Sequence, residues 1–129
     1  MKILSYIFPV LILAFTLPCF AEPLDLGKRQ SLSPQEAASL QQEVIFLDVR
    51  TSGEWQAGHV KGAMHIPHNK VAGKAASLNL DRSVPIITYC EVGGRAAYVV
   101  DTLREQGYTV VPVTQGGYRE LIAHGMEKN

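Results

Sequence analysis

The residues most able to do chemistry stand together as Cys90-Glu91-Val92-Gly93-Gly94-Arg95. A thiol precedes a glycine pair, and a guanidinium follows. Glycine takes φ > 0 without steric cost, so such a loop can turn several backbone N–H groups toward one centre. A helix opening near Arg95 adds its unpaired N–H groups and the positive end of its dipole. The sulfur of Cys90 is therefore expected in a cup of donors formed by the loop through Ala96, with Arg95 at the rim. Those surroundings favour the thiolate, the reactive form of cysteine. They would equally hold an anion arriving beside the sulfur. A free cysteine is ordinarily a small buried hydrophobe; the glycines, the arginine and the place of Cys90 in the chain set it apart from that case.

That place depends on the flanking elements. Val84 to Tyr89 is a run of strand formers with Cys90 at its carboxyl end. After the glycines, Ala96, Val99, Val100 and Leu103 recur at i, i+3, i+4 and i+7, one apolar face of a helix that Gly107 stops. Upstream, Ser33-Pro34-Gln35-Glu36 is a capping box with proline at the first helical position, predicting a helix to about Gln42. Val44 to Leu47 reads as a strand buried on both faces and runs into Asp48-Val49-Arg50. Thr51 or Ser52 caps a helical turn through Glu54-Trp55-Gln56, which Gly58 ends. A short strand at 63–66, a modest helix within 71–78, a third apolar strand at 109–113 and a last helix at 118–124 complete the pattern. Strands alternating with helices predict an α/β fold, a small mainly parallel sheet with helices on both faces. Sites in such sheets gather at the carboxyl ends of strands, where Cys90 stands.

Composition narrows the function classes. The 129 residues suit one domain, and 12 Lys+Arg against 12 Asp+Glu give a formal net charge of +0. No basic run interleaved with aromatics is present, so a nucleic-acid partner is not expected. Residues 1–21 have one lysine, an apolar stretch from Ile3 to Leu17, then Pro18 and small residues before a cut at Ala21/Glu22. This is the layout of a signal peptide, which predicts a periplasmic protein without stable membrane association after cleavage. A leader at 22–30 and a domain at 31–129 would follow. Cleavage removes Cys19 and leaves Cys90 as the sole cysteine, which cannot close an internal disulfide. It is then an inert buried residue, an intermolecular link or a working thiol.

Asp48-Val49-Arg50, Glu54, Gly58-His59-Val60-Lys61-Gly62-Ala63 and Ile66-Pro67 resemble the N-terminal signature of rhodanese domains. Tyr89 to Ala96 resembles their active loop, and Gly107-Tyr108 with 110–113 the strand after it. Gly116-Gly117-Tyr118 and Ala123-His124-Gly125-Met126 resemble their closing motif, with Leu121 where tryptophan is common. Together with the signal peptide, the chain is similar to the small single-domain periplasmic rhodaneses. The resemblance implies a sulfurtransferase in which Cys90 takes the outer sulfur of a small donor such as thiosulfate and carries it as a persulfide to cyanide or a thiol. It also implies that the loop amides of Glu91, Val92, Gly93, Gly94, Arg95 and Ala96 hold the transferred sulfur, that Arg95 receives the donor's sulfonate, and that no cofactor or metal is needed. Glu91 and Val92 depart from more basic loops. Two other classes use the same thiol: a persulfide carrier that works only with a protein partner, and a cysteine phosphatase. The phosphatase motif is Cys-x5-Arg, whereas Cys90 and Arg95 leave Cys-x4-Arg, a tighter cup.

The remaining polar residues have plainer readings. Asp48 and Arg50 are expected as a buried structural pair, with Glu54 in the same polar support. Proline between His65 and His68 keeps them off one helix face, and with Cys19 cleaved no second cysteine or clustered carboxylate completes a metal site with these or with His59. His59 is expected to bond the backbone, and Trp55 and Tyr118 to pack or line a pocket wall.

Overall fold

The computed structural model describes residues 25–28 and 30–129; the predicted signal segment at 1–21 lies outside them. Five strands form one sheet in the order β1-β5-β4-β2-β3: β1 (Ser31–Leu32), β2 (Ile45–Asp48), β3 (Met64–His65), β4 (Ile86–Tyr89) and β5 (Val113–Thr114). Every neighbouring pair is parallel. The helices are α1 (Pro34–Ser39), α2 (Ser52–Ala57), α3 (Val71–Lys74), α4 (Gly94–Glu105) and α5 (Tyr118–Ala123). Strand alternation divides the core in two. Leu47, Val49 and Ile86 pack with Val71 of α3 and Val99, Val100 and Leu103 of α4. Phe46, Ile87 and Tyr89 pack on the other face with Ala37 of α1 and Leu121 of α5. The α/β layering predicted from the sequence is thus present, with helices on both faces.

Several boundaries differ from those predicted, for local reasons. The third apolar strand does not begin at Thr109. Ile86 N–H donates to the Val110 carbonyl at 2.9 Å, but Pro112 has no N–H, and the ladder starts only at Val113. Pro85 likewise delays β4 to Ile86. Helix α1 stops at Ser39, short of Gln42, because Leu40 and Gln41 bond back to Ala37 and Ala38 and tighten the last turn. The predicted 71–78 helix is one α-turn continued as a 3-10 helix from Ala75 to Leu78. Gln30 and Leu32 pair with the segment at 113–115: Val113 N–H donates to the Gln30 carbonyl at 3.0 Å and Gln115 N–H to that of Leu32 at 2.7 Å. This pairing makes β1, and Leu32 is fully buried. A two-residue strand is too short to leave a periodic signal.

The register sets up the site. Asp48 of β2 lies beside Tyr89 of β4. The segments that leave these two strands, Val49-Arg50 and Cys90-Glu91, therefore emerge side by side at the carboxyl end of the sheet.

Candidate active site

Cys90 follows β4 directly and is fully buried, 0% exposed. It is a free thiol. Its Sγ accepts a hydrogen bond from Gly93 N–H at 2.9 Å. Gly93 has φ +104°, which turns that N–H back over the sulfur, and it caps α4. Gly94, Arg95 and Ala96 form the first turn of α4, where N–H groups have no intrahelical acceptor. The loop is held from below by the turn before α5. Tyr118 N–H donates to the Cys90 carbonyl at 2.8 Å. A Cβ at Gly117 would overlap the Glu91 carbonyl, so only glycine lets the two segments approach this closely. Val92, by contrast, points outward and is 81% exposed. Ala96 is buried beneath the loop.

Arg95 does not stand free at the rim. Its Nη1 and Nη2 donate to Glu54 Oε2 and Oε1 at 2.8 and 2.9 Å, a two-pronged pair with side chains 27% and 33% exposed. Glu54 is therefore not part of the Asp48–Arg50 support, as the sequence suggested, but the partner of Arg95. It is fixed from its own side as well: Thr51 N–H and Oγ1 donate to Oε2 at 2.8 and 3.1 Å, the capping box of α2. The Arg95 fork first, against the opposing effect of partial burial, and then the Thr51 donors hold the Glu54 carboxyl down to about 2.

Asp48 and Arg50 form the expected buried pair, 0% and 2% exposed. Arg50 Nε and Nη2 bond both Asp48 oxygens, and Nη2 also donates to the Gly58 carbonyl at 2.6 Å. Burial opposes the Arg50 charge, but the Asp48 carboxylate more than offsets this and raises the guanidinium above its ordinary value. The guanidinium carbon stacks 4.1 Å from the Tyr118 ring centroid. What the sequence did not suggest is the reach of Arg50 into the Cys90 loop. Its Nη1 lies 3.2 Å from Glu91 Oε2, while Arg119 Nε approaches Glu91 Oε1 at 3.3 Å. The Glu91 side chain is therefore tied to two arginines.

An open pocket of about 450 Å³ adjoins the loop, lined by Arg50, Glu54, Ala57, Gly58, Glu91, Tyr118 and Arg119. Tyr118 is thus a pocket wall. Trp55 stacks on His59 and His65 with ring centroids at 3.4 and 4.7 Å. His59 Nδ1 donates to the Trp55 carbonyl and His65 Nε2 to that of Arg50, each at 2.9 Å. These histidines brace the loops around α2.

The family model described as rhodanese-like domain matches residues 33–124. The chain is 32% identical over 76 residues to the thiosulfate sulfurtransferase PspE of Escherichia coli, covering 59% of this chain and 72% of that protein. It is 30% identical over 94 residues to the thiosulfate sulfurtransferase GlpE of Pseudomonas entomophila, covering 72% and 84%. Among solved structures, the rhodanese-like domain of the Anabaena protein Alr3790 superposes with a TM-score of 0.72 at 25% identity, covering 78% of this chain and 79% of that one.

Proposed function

The chain belongs to the rhodanese-like domain family, and from that membership we propose a sulfurtransferase that works through a persulfide on Cys90. The observation that carries this reading is the Cys90 Sγ held by Gly93 N–H at the N-terminal end of α4. The similarity to two thiosulfate sulfurtransferases supports sulfur transfer as the reaction class.

In the first half-reaction the Cys90 thiolate attacks the outer sulfur of a donor such as thiosulfate. A bond forms between the two sulfurs, the donor's S–S bond breaks, and sulfite leaves with the electron pair. Cys90 then carries a terminal persulfide anion. In the second half-reaction cyanide or a thiolate attacks that terminal sulfur, and the bond to Cys90 breaks to return the thiolate. Charge balances in each step without an added oxidant. The terminal sulfur anion is suited to the free N–H groups of Gly94, Arg95 and Ala96, which play the part of oxyanion-hole donors. Splitting the transfer into two displacements gives ping-pong kinetics.

Intact mass after thiosulfate treatment tests the proposal. The protein should gain the mass of one sulfur atom, cyanide should remove it, and Cys90→Ser should show neither change. Sulfur transfer surviving in the serine variant overturns the assignment. Secretion to the periplasm is part of the proposal, supported by the layout of residues 1–21. Protein recovered from that compartment should begin at Glu22, and retention of Met1 in the membrane fraction would contradict it.

A further inference from the structure

We infer that Glu54 sets donor selectivity by occupying the Arg95 fork, so that the site disfavours donors that carry a sulfonate. The inference rests on the sulfur-transfer reading and concerns which small molecules that site accepts.

An arginine fork is shaped to take two oxygens of one anion. At Arg95 that geometry is already taken, by both Glu54 oxygens at 2.8 and 2.9 Å. Glu54 cannot swing away freely, because Thr51 N–H and Oγ1 anchor the same carboxylate to the start of α2. A sulfonate reaching for Arg95 must displace a partner that is already oriented. In the adjoining pocket the buried Arg50 is matched to Asp48 and Glu91, and the exposed Arg119 approaches Glu91 through Nε alone. Glu54 and Glu91 line that pocket beside Arg50 and Arg119, so an entering dianion meets carboxylates that already hold guanidinium partners. Held ionised down to about 2, Glu54 keeps its charge through the whole neutral range. A donor without a sulfonate, such as an alkyl persulfide, meets neither obstacle. Cys90 attacks its terminal sulfur, the S–S bond breaks, and the alkyl thiolate leaves.

Glu54 touches no reacting atom; it acts through Arg95 and is a positioning residue. Glu54→Gln keeps the side-chain length and an oxygen for Thr51 N–H while removing the charge. The measurement is kcat/KM for thiosulfate divided by that for an alkyl persulfide. In Glu54→Gln this ratio should rise about tenfold, the scale of one charge-assisted contact, through a lower thiosulfate KM. Glu54→Asp, which keeps the charge but shortens the reach, should fall between the two. In an Arg95→Ala background the gain should vanish, because no fork remains to be released. A ratio unchanged in Glu54→Gln, or a gain that persists without Arg95, overturns the inference while leaving sulfur transfer intact. Failure of wild-type Cys90 to take sulfur from either donor overturns the sulfur-transfer reading itself.

Discussion

Arg50 shows how a single side chain joins the core to the Cys90 loop. It is 2% exposed, yet it satisfies Asp48, the Gly58 carbonyl and Glu91 of that loop, and stacks on Tyr118. Such a pair contributes little net stability by itself, because both charges give up their hydration. Removing one partner is different, since the other charge is left buried and unpaired. Arg50→Ala should therefore lower unfolding free energy by about 3–5 kcal/mol in urea titration. It should also reduce Cys90 persulfide formation, because Glu91 loses its inner tether. Full stability in that variant would show that Asp48 finds another donor.

At the scale of elements, α2 and α4 are joined at their N-terminal ends through Glu54 and Arg95. Each helix also uses that end for its own purpose: α2 for the Thr51 capping box and α4 for the amides above Cys90. The pair has a defined pH signature. The folded-state value of Glu54 is lowered from 4.5 to about 2, chiefly by Arg95. The unfolded chain therefore binds the proton more readily, and the stabilisation by Glu54 is fully present above about pH 5. It fades as pH falls through about 4 and is gone below about pH 2. Thermal unfolding of wild type and Glu54→Gln should differ by a constant amount at neutral pH and converge under acid. A difference that instead grows on acidification would contradict the assignment of the shift.

At the scale of the molecule, the sheet is built outward from β4 and β2, and its outermost strands have two residues each. β1 is added by hydrogen bonds from Val113 and Gln115 to the segment ahead of α1, with Leu32 as its buried anchor. That anchor packs with Ala37, Phe46, Ile87 and Leu121, so it joins α1 and α5 to the same face of the sheet. Leu32→Ala should cost about 2–5 kcal/mol of unfolding free energy, the range for leucine truncation in a packed core. The Cys90 side chain packs in the other half of the core, with Val99 and Leu103, and α5 reaches the loop only through the backbone of Gly117 and Tyr118. Sulfur uptake measured well below the unfolding transition should therefore change little, and a large loss of uptake in a folded variant would show that the two halves of the core are coupled.

The sequence by itself determined the order of elements, the α/β layering and the position of Cys90 between a buried strand and a helix start. These follow from short-range facts: strand runs at 44–47 and 84–89, the i, i+3, i+4, i+7 face from Ala96 to Leu103, a capping box at Ser33 and a cap at Thr51 or Ser52. It also placed Asp48 and Arg50 together, since two residues at a strand end have few other ways to bury their charges. Only the tertiary structure decided who meets whom across the site. Glu54 and Arg95 are 41 residues apart, as are Arg50 and Glu91, and each pair meets because β2 and β4 lie parallel and in register at their carboxyl ends. Gly117 likewise shows its need for a bare backbone only where α5 is packed under the Cys90–Glu91 peptide. Periodicity reports which face of an element is buried, whereas the partner of a long charged side chain depends on which strand end lies beside it in space. Arg95 was legible as a cation near the thiol; that its fork is already filled was not.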